Sequence, residues 1–205
     1  MQIRILKEDD LKNFYDWSGT INLSNIIYPF CLSDNLVINT NLVVNNANLI
    51  SLPKNLTVNG SLILNNTQLT KIGNNLVIKE HLNISNSSIE YLPNDIKVGG
   101  DIIADNSNLK TLPNDFCVNG WLYLNNAKSF HFPKNLDIVG GLQIKNVDLN
   151  ELPTDLSVGT LRNSGVDKKI IDDWLKRKEE KLHIELQFSE DGSLKEKSKN
   201  NIRRR

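Results

Sequence analysis

The residues whose types could do chemistry are few. His81, His131 and His183 are the only histidines, and Cys31 and Cys117 the only cysteines. A structural zinc site needs Cys or His ligands in close sequence pairs, and none of these five forms such a pair. Asp101 and Asp105 are the best carboxylate pair, two residues either side of Ile103. Paired carboxylates can share acid and base work if both face one pocket. The Asn-Gly dipeptides recur singly, unlike a phosphate-cradling loop. These residues point to a non-enzymatic protein without metal or cofactor.

The elements that position them repeat. Leu52-Pro53, Leu92-Pro93, Leu112-Pro113, Phe132-Pro133 and Leu152-Pro153 fall on one 20-residue grid. Ile72-Gly73 and Leu32-Ser33 occupy the same slots. Numbered from that leucine, the coil reads L-P-x-[ND]-L-x-V-x-G-x-L-x-L-x-N-x-x-L-x-x. Six full coils run from Leu32 to Glu151, between a worn first coil (YDWSGTINLSN) and a shortened last one (LPTDLSVGTLRNSGV). Repeats of this length stack into solenoids, because one coil cannot bury its apolar residues alone.

Alternation sets two short strands per coil. Positions 5 and 7 point inward in the first, and 11 and 13 in the second. Positions 18 and 1 close the coil. Glycine at position 9 (Gly60, Gly100, Gly120, Gly140) is expected to bend the chain with positive φ. The chain has 30 asparagines, most of them in the repeats. Position 4 holds Asn or Asp (Asn55, Asp95) and is read as an Asx turn that needs an acceptor. Position 15 holds only Asn (Asn46, Asn66, Asn86, Asn106, Asn126, Asn146). That column is read as a half-buried amide bonded to backbone carbonyls of adjacent coils. A metal or sugar ladder is the lesser reading of both columns.

Outward positions 10, 12 and 14 of the second strand vary from coil to coil, whereas inward ones hardly do. His81, Asp101 and Trp121 stand at position 10; Ile63, Ile103 and Tyr123 at position 12; Asp105 and Asn125 at position 14. Aromatic residues on an exposed sheet are typical anchors of protein interfaces, although they also favour strands when merely exposed. These eight residues are the candidate partner-binding set.

The corner and second strand, as in LILNNTQLTKI and IIADNSNLKTLP, resemble the leucine-rich-repeat pattern. The 20-residue period and Leu-Pro corner are most similar to the short LPX repeats of bacterial effectors. The V-x-G-x-L-x-L half is similar to repeat proteins of phages and mobile elements. The resemblance covers roughly residues 17–166. It implies a mainly β, right-handed parallel solenoid with 20 residues per coil and binding of a partner on the sheet. LPX effectors often carry a ligase domain; this chain has no segment of that length, so ligase activity does not carry over.

The ends are read as caps. Residues 1–18 form an N-terminal cap, with QIRIL as an edge strand and Phe14, Tyr15 and Trp17 over the first coil. The solenoid spans 19–166. Residues 167–188 form a helix and strand, with Asp167 as N-cap, Ile170, Ile171, Trp174 and Leu175 on one docked face, and LHIELQF as a strand. Residues 189–205 are a disordered basic tail. No apolar run approaches the roughly 18 residues of a membrane span, and the N-terminus has no signal-peptide core. The expectation is a cytoplasmic protein of a bacterial or host cell, bound to another protein and not to a membrane. Binding of nucleic acid through the tail is the alternative. Formal net charge is zero, which gives nucleic acid no global attraction. Cys31 and Cys117 stand about four coils apart, too far for a disulfide.

Overall fold

The computed structural model describes residues 3–70 and 72–189. It is mainly β, with parallel strands stacked as a solenoid of about seven turns. The chain opens with β1 (Arg4–Leu6), α1 (Glu8–Leu11), β2 (Ile21–Asn22) and β3 (Phe30–Leu32). Each following coil adds two short strands. These are β4 (Val37–Ile38) and β5 (Leu42–Val43), β6 (Thr57–Val58) and β7 (Leu62–Ile63), then β8 (Val77–Ile78) and β9 (Leu82–Asn83). Next come β10 (Lys97–Val98) and β11 (Ile102–Ile103), then β12 (Cys117–Val118) and β13 (Leu122–Tyr123). The next coil has one long strand, β14 (Asp137–Gln143), followed by β15 (Ser157–Thr160) and the helix α2 (Lys168–Ser189).

Second strands stack in strict register, residue i on residue i+20: Leu62 on Leu82, Leu82 on Ile102, Ile102 on Leu122. All four side chains are fully buried. Across the six full coils positions 5, 7, 11 and 13 fill the core as the alternation predicts, and position 1 does so except at Ile72 and Phe132, which are half-buried. Position 18 does so in four coils, Leu49, Leu69, Ile89 and Leu109; in the next coil Phe130, one residue later, takes the role. Position 16 is a further buried column: Ala47, Thr67, Ser87, Ser107 and Ala127. Two of its hydroxyls turn back to their own coil, Thr67 Oγ1 donating to the Leu64 carbonyl at 2.9 Å and Ser107 Oγ to that of Ala104 at 2.7 Å, whereas Ser87 Oγ is buried without a partner. Uniformly small side chains at this position were the available signal.

Both asparagine columns need correcting. Positive φ belongs to them and not to the position 9 glycines. Asn25, Asn46, Asn66, Asn86, Asn106, Asn126, Asn146 and Asn163 all lie between φ 52° and 60°. In position 4, Asn35, Asn55, Asn75, Asp115 and Asn135 lie between φ 52° and 63°. Asn adopts this left-handed region more readily than any residue but glycine. The position 15 side chains lie at or near the surface, and in the later coils their amides bond to each other along the stack. Asn146 Nδ2 donates to Asn126 Oδ1, and Asn126 Nδ2 to Asn106 Oδ1, each at 2.8 Å. Position 4 makes the same ladder from Asn75 through Asn55 to Asn35. The amide donor does matter, but it serves a side chain and not a buried carbonyl.

The glycines at position 9 serve close approach. A Cβ at Gly60 would lie 2.7 Å from Asn41 N and collide with Asn41 Oδ1. That oxygen occupies the space because it accepts from Ser61 N at 2.8 Å. Gly120 makes room for Asp101 in the same way, with Asp101 Oδ1 accepting from Trp121 N at 2.7 Å.

One junction is incomplete. No ladder joins β10 to β12; the smaller sheet has the order β10-β8-β6-β4, while β12 pairs with β14. Asn119 Nδ2 takes the Val98 carbonyl at 2.9 Å instead. A shallow groove lined by Lys79, Lys97, Gly99, Phe116 and Cys117 marks the gap. The position 4 ladder is missing here and also at the preceding junction, between Asn75 and Asp95, where β8 and β10 still pair. Asp95 and Asp115 are consecutive acceptors with no amide to donate, and Asp95 is outside the left-handed set. Changing both to Asn supplies the two missing donors. We expect the Asp95→Asn/Asp115→Asn protein to gain about 1 kcal/mol and its Cys117 and Asn119 amides to exchange more slowly with deuterium. Unchanged stability and exchange would refute this account of the gap.

The ends agree in part. β1 does pair with β3, in parallel. Trp17, expected to cover the first coil, is instead 99 % exposed. It sits in a turn held by Asp16 Oδ1, which accepts from the Ser18 and Thr20 amides at 2.9 and 3.1 Å. Among the described residues, a second compact unit comprises Asn150–Thr154 and the chain from Asp167 to Ser189. Within it, Asp167 Oδ1 accepts from Lys169 N at 2.7 Å, as an N-cap does. Trp174 is buried and its indole donates to the Pro153 carbonyl at 2.8 Å. Arg177 donates to the Leu152 carbonyl at 2.8 Å and pairs with Glu151 at 3.0 Å. Leu175, placed on the docked face by its spacing, is 48 % exposed. LHIELQF is helical and not a strand, since α2 runs on to Ser189. Extending a formed helix costs little, so the alternation is overridden. The basic tail lies outside the described residues.

Candidate functional site

The larger sheet carries the candidate residues. β2, β5, β7, β9, β11, β13 and the second half of β14 lie side by side, and their positions 10, 12 and 14 face away from the core. In-register pairing brings like positions together: Ile103 lies beside Tyr123 on one side and Asn83 on the other, and Ile63 beside Asn83 and Val43. All of these are half-buried, because each column shields its neighbours.

Position 10 is less free than its variety suggests. Asn41, Ser61, His81 and Asp101 differ in type yet share one task. Each accepts, through its side chain, from the position 10 amide of the next coil, at 2.8, 3.4, 3.0 and 2.7 Å. His81 Nδ1 accepts from Asp101 N, which puts the neutral ring's proton on Nε2. Asp101 Oδ2 is 3.3 Å from that same Nδ1. At position 14, Asp105 Oδ1 accepts from Asn125 N at 2.7 Å, and Asn125 Oδ1 from Lys145 N at 2.9 Å. Asn65 belongs to this column, and its buried Oδ1 has no partner, because Ser85 N bonds to Asn83 Oδ1 instead. Asp101 and Asp105 therefore each commit one oxygen to the backbone; the second oxygen of Asp101 lies beside the His81 ring, and that of Asp105 is left for anything else.

Trp121 cannot accept, and the acceptor ladder ends there. Its ring covers the next coil: a Cβ at Gly141 would lie 2.6 Å from Trp121 Cζ3 and 2.7 Å from Cη2. The following strand, β14, runs unbroken through Gly140 and Gly141 beneath it. Tyr123 stacks on Trp121, with ring centroids 6.0 Å apart and planes at 25°. No protein-family model, curated protein or solved structure matches the chain.

Burial pushes the Tyr123 phenol above its ordinary range, and the carboxylates of Asp101 and Asp105 push it further. The phenol thus lies within the field of both. The sequence-picked residues do come together: Asp101, Ile103, Asp105, Trp121, Tyr123 and Asn125 occupy neighbouring strands. His81 and Ile63 lie further along the same face. What sequence reasoning missed is that half of them also hold the stack together. Gly141, opposite the Trp121 ring, was the signal for that packing. The groove at the β10–β12 gap does not include Asp101 or Asp105. No helix among the described residues is long and apolar enough to cross a membrane.

Proposed function

We propose that this protein is a non-enzymatic interaction module that binds another protein through the outward face of its larger sheet. The observation that carries the reading is the stacked Trp121–Tyr123 pair beside the column of Ile103, Ile63 and Val43. Aromatic anchors flanked by aliphatic and polar neighbours are the usual centre of such interfaces. Resemblance of the Leu-Pro corner to effector repeats supports a finer reading, in which the partner is a host protein whose activity is modulated.

A photo-crosslinking residue placed at Ile103, and in a second protein at Val37, tests this. Val37 is 50 % exposed on the smaller sheet and serves as the control. In extract of the native host, position 103 should yield a discrete protein adduct and position 37 none. Equal adducts from both positions, or none from position 103, would sink the proposal.

A further inference from the structure

The outward face has a charge pattern unlike the chain as a whole. Formal net charge is zero over the whole sequence. Yet from Thr20 to Asn125 the only charged residues at positions 10, 12 and 14 are Asp101 and Asp105. Glu80 joins them, since its Oε2 accepts from Ser61 Oγ at 3.0 Å on the same face. No lysine or arginine stands among these positions until Lys145. The carboxylates are not scattered. Asp101 and Asp105 flank Ile103 on β11, and Ile103 is the register partner of Tyr123 on β13. The one buried atom of this face without a partner, Asn65 Oδ1, is an acceptor.

We infer that the occupant of this face is a cationic segment of the partner, placing a lysine or arginine against the Trp121–Tyr123 stack between Asp101 and Asp105. This rests on the face being the interaction surface. Three features fit that occupant. A cation is attracted to the face of an aromatic ring, best of all to indole. A guanidinium or ammonium offers only donors, and each aspartate keeps one oxygen free of the backbone ladder. Carboxylates held by backbone hydrogen bonds are preorganised, so little ordering is needed on binding. An anionic partner would meet Glu80, Asp101 and Asp105 with no compensating cation before Lys145.

The test uses the full-length 15N-labelled protein, a synthetic peptide alternating lysine and arginine with glycine, and its glutamine-substituted counterpart. We expect saturable shifts of the backbone amides of residues 101–105 and 121–125 with the basic peptide only, diminished by added salt. Asp101→Asn/Asp105→Asn keeps every Oδ1 acceptor of the ladder, so the fold is preserved while the charge is removed. That protein should bind the basic peptide about ten-fold more weakly. Tyr123→Leu should weaken binding as well, with unchanged spectra elsewhere. Shifts that map to other residues, or binding indifferent to both variants, would overturn the inference. So would equal binding of the glutamine peptide, or binding of a neutral oligosaccharide such as cellohexaose in its place. A crosslinked adduct at Ile103 without basic-peptide binding would overturn the cationic occupant and leave the interaction face standing.

Discussion

Replacing Gly99 by alanine should lower the stability of this protein by about 3 kcal/mol. Gly99 stands at position 8, where other coils carry Asn59, Lys79, Asn119 or Val139. A Cβ there would collide with the Lys79 carbonyl oxygen and lie 2.8 Å from its carbon. The obstacle is backbone, and it is pinned, because Gly99 N donates to the Ile78 carbonyl at 2.9 Å and Lys79 N to that of Val58 at 2.9 Å. Relief must therefore come from separating coils. Gly100 provides the contrast. Its nearest obstacle is the His81 ring, with Nδ1 at 2.8 Å, and a half-exposed side chain can rotate away at the cost of one hydrogen bond. Urea titration should rank Gly99→Ala well below Gly100→Ala, and Gly100→Ala modestly below the parent protein. A Gly99→Ala midpoint equal to the parent's would show that the coils can part there freely.

Truncating Leu82 to alanine should cost a similar or larger amount, about 2–5 kcal/mol. Leu82 is fully buried between Leu62 and Ile102, one from each adjacent coil. In a stacked array each coil packs only on its neighbours, so no third element can close the cavity. The neighbours are also held apart at a fixed spacing, by Leu62 N to the His81 carbonyl at 2.9 Å and Leu82 N to that of Asp101 at 3.0 Å. The same truncation at Ile103, one residue beyond Ile102 and half-buried on the opposite side of the sheet, should cost about 1 kcal/mol. Denaturant midpoints at unchanged m values would establish the difference. Equal losses at the two positions would contradict the assignment of inward and outward faces.

Much of the fold was legible because a 20-residue repeat averages out local ambiguity. Leu62, Leu82, Ile102 and Leu122 recur without a gap, and a period of two within each coil separates core from surface. The period did not reveal what the polar columns do. Asn at position 15 looked like a buried donor because Asp never occurs there; in fact the slot needs a left-handed backbone, which Asn tolerates and the alphabet of side chains does not advertise. Glycine at position 9 invited the opposite error. Positive φ is the commoner reason for a repeated glycine, and the true one, the side chain of a residue 19 positions earlier, is invisible along the chain. The candidate face was legible as a place but not as a mixture of duties. Asn41, Ser61, His81 and Asp101 look unrelated by size, charge or hydropathy, and only their shared ability to accept a hydrogen bond unites them. LHIELQF misled because alternation in a short segment is weak beside the propagation of a long helix.

The coupling of position 10 to the next coil's position 9 bears on how such a chain can lengthen. Asn41 requires a glycine at residue 60, and Asp101 one at residue 120. A duplication of Leu32–Ser51 would set Asn41 against a second Thr40, whose side chain claims the same space. A duplication of Asn41–Gly60 would set both copies of Asn41 against a glycine. A unit that keeps Asn41 and Asp101 with their glycines therefore begins at position 10 and ends at position 9, nine residues out of phase with the Leu-Pro corner that makes the repeat visible.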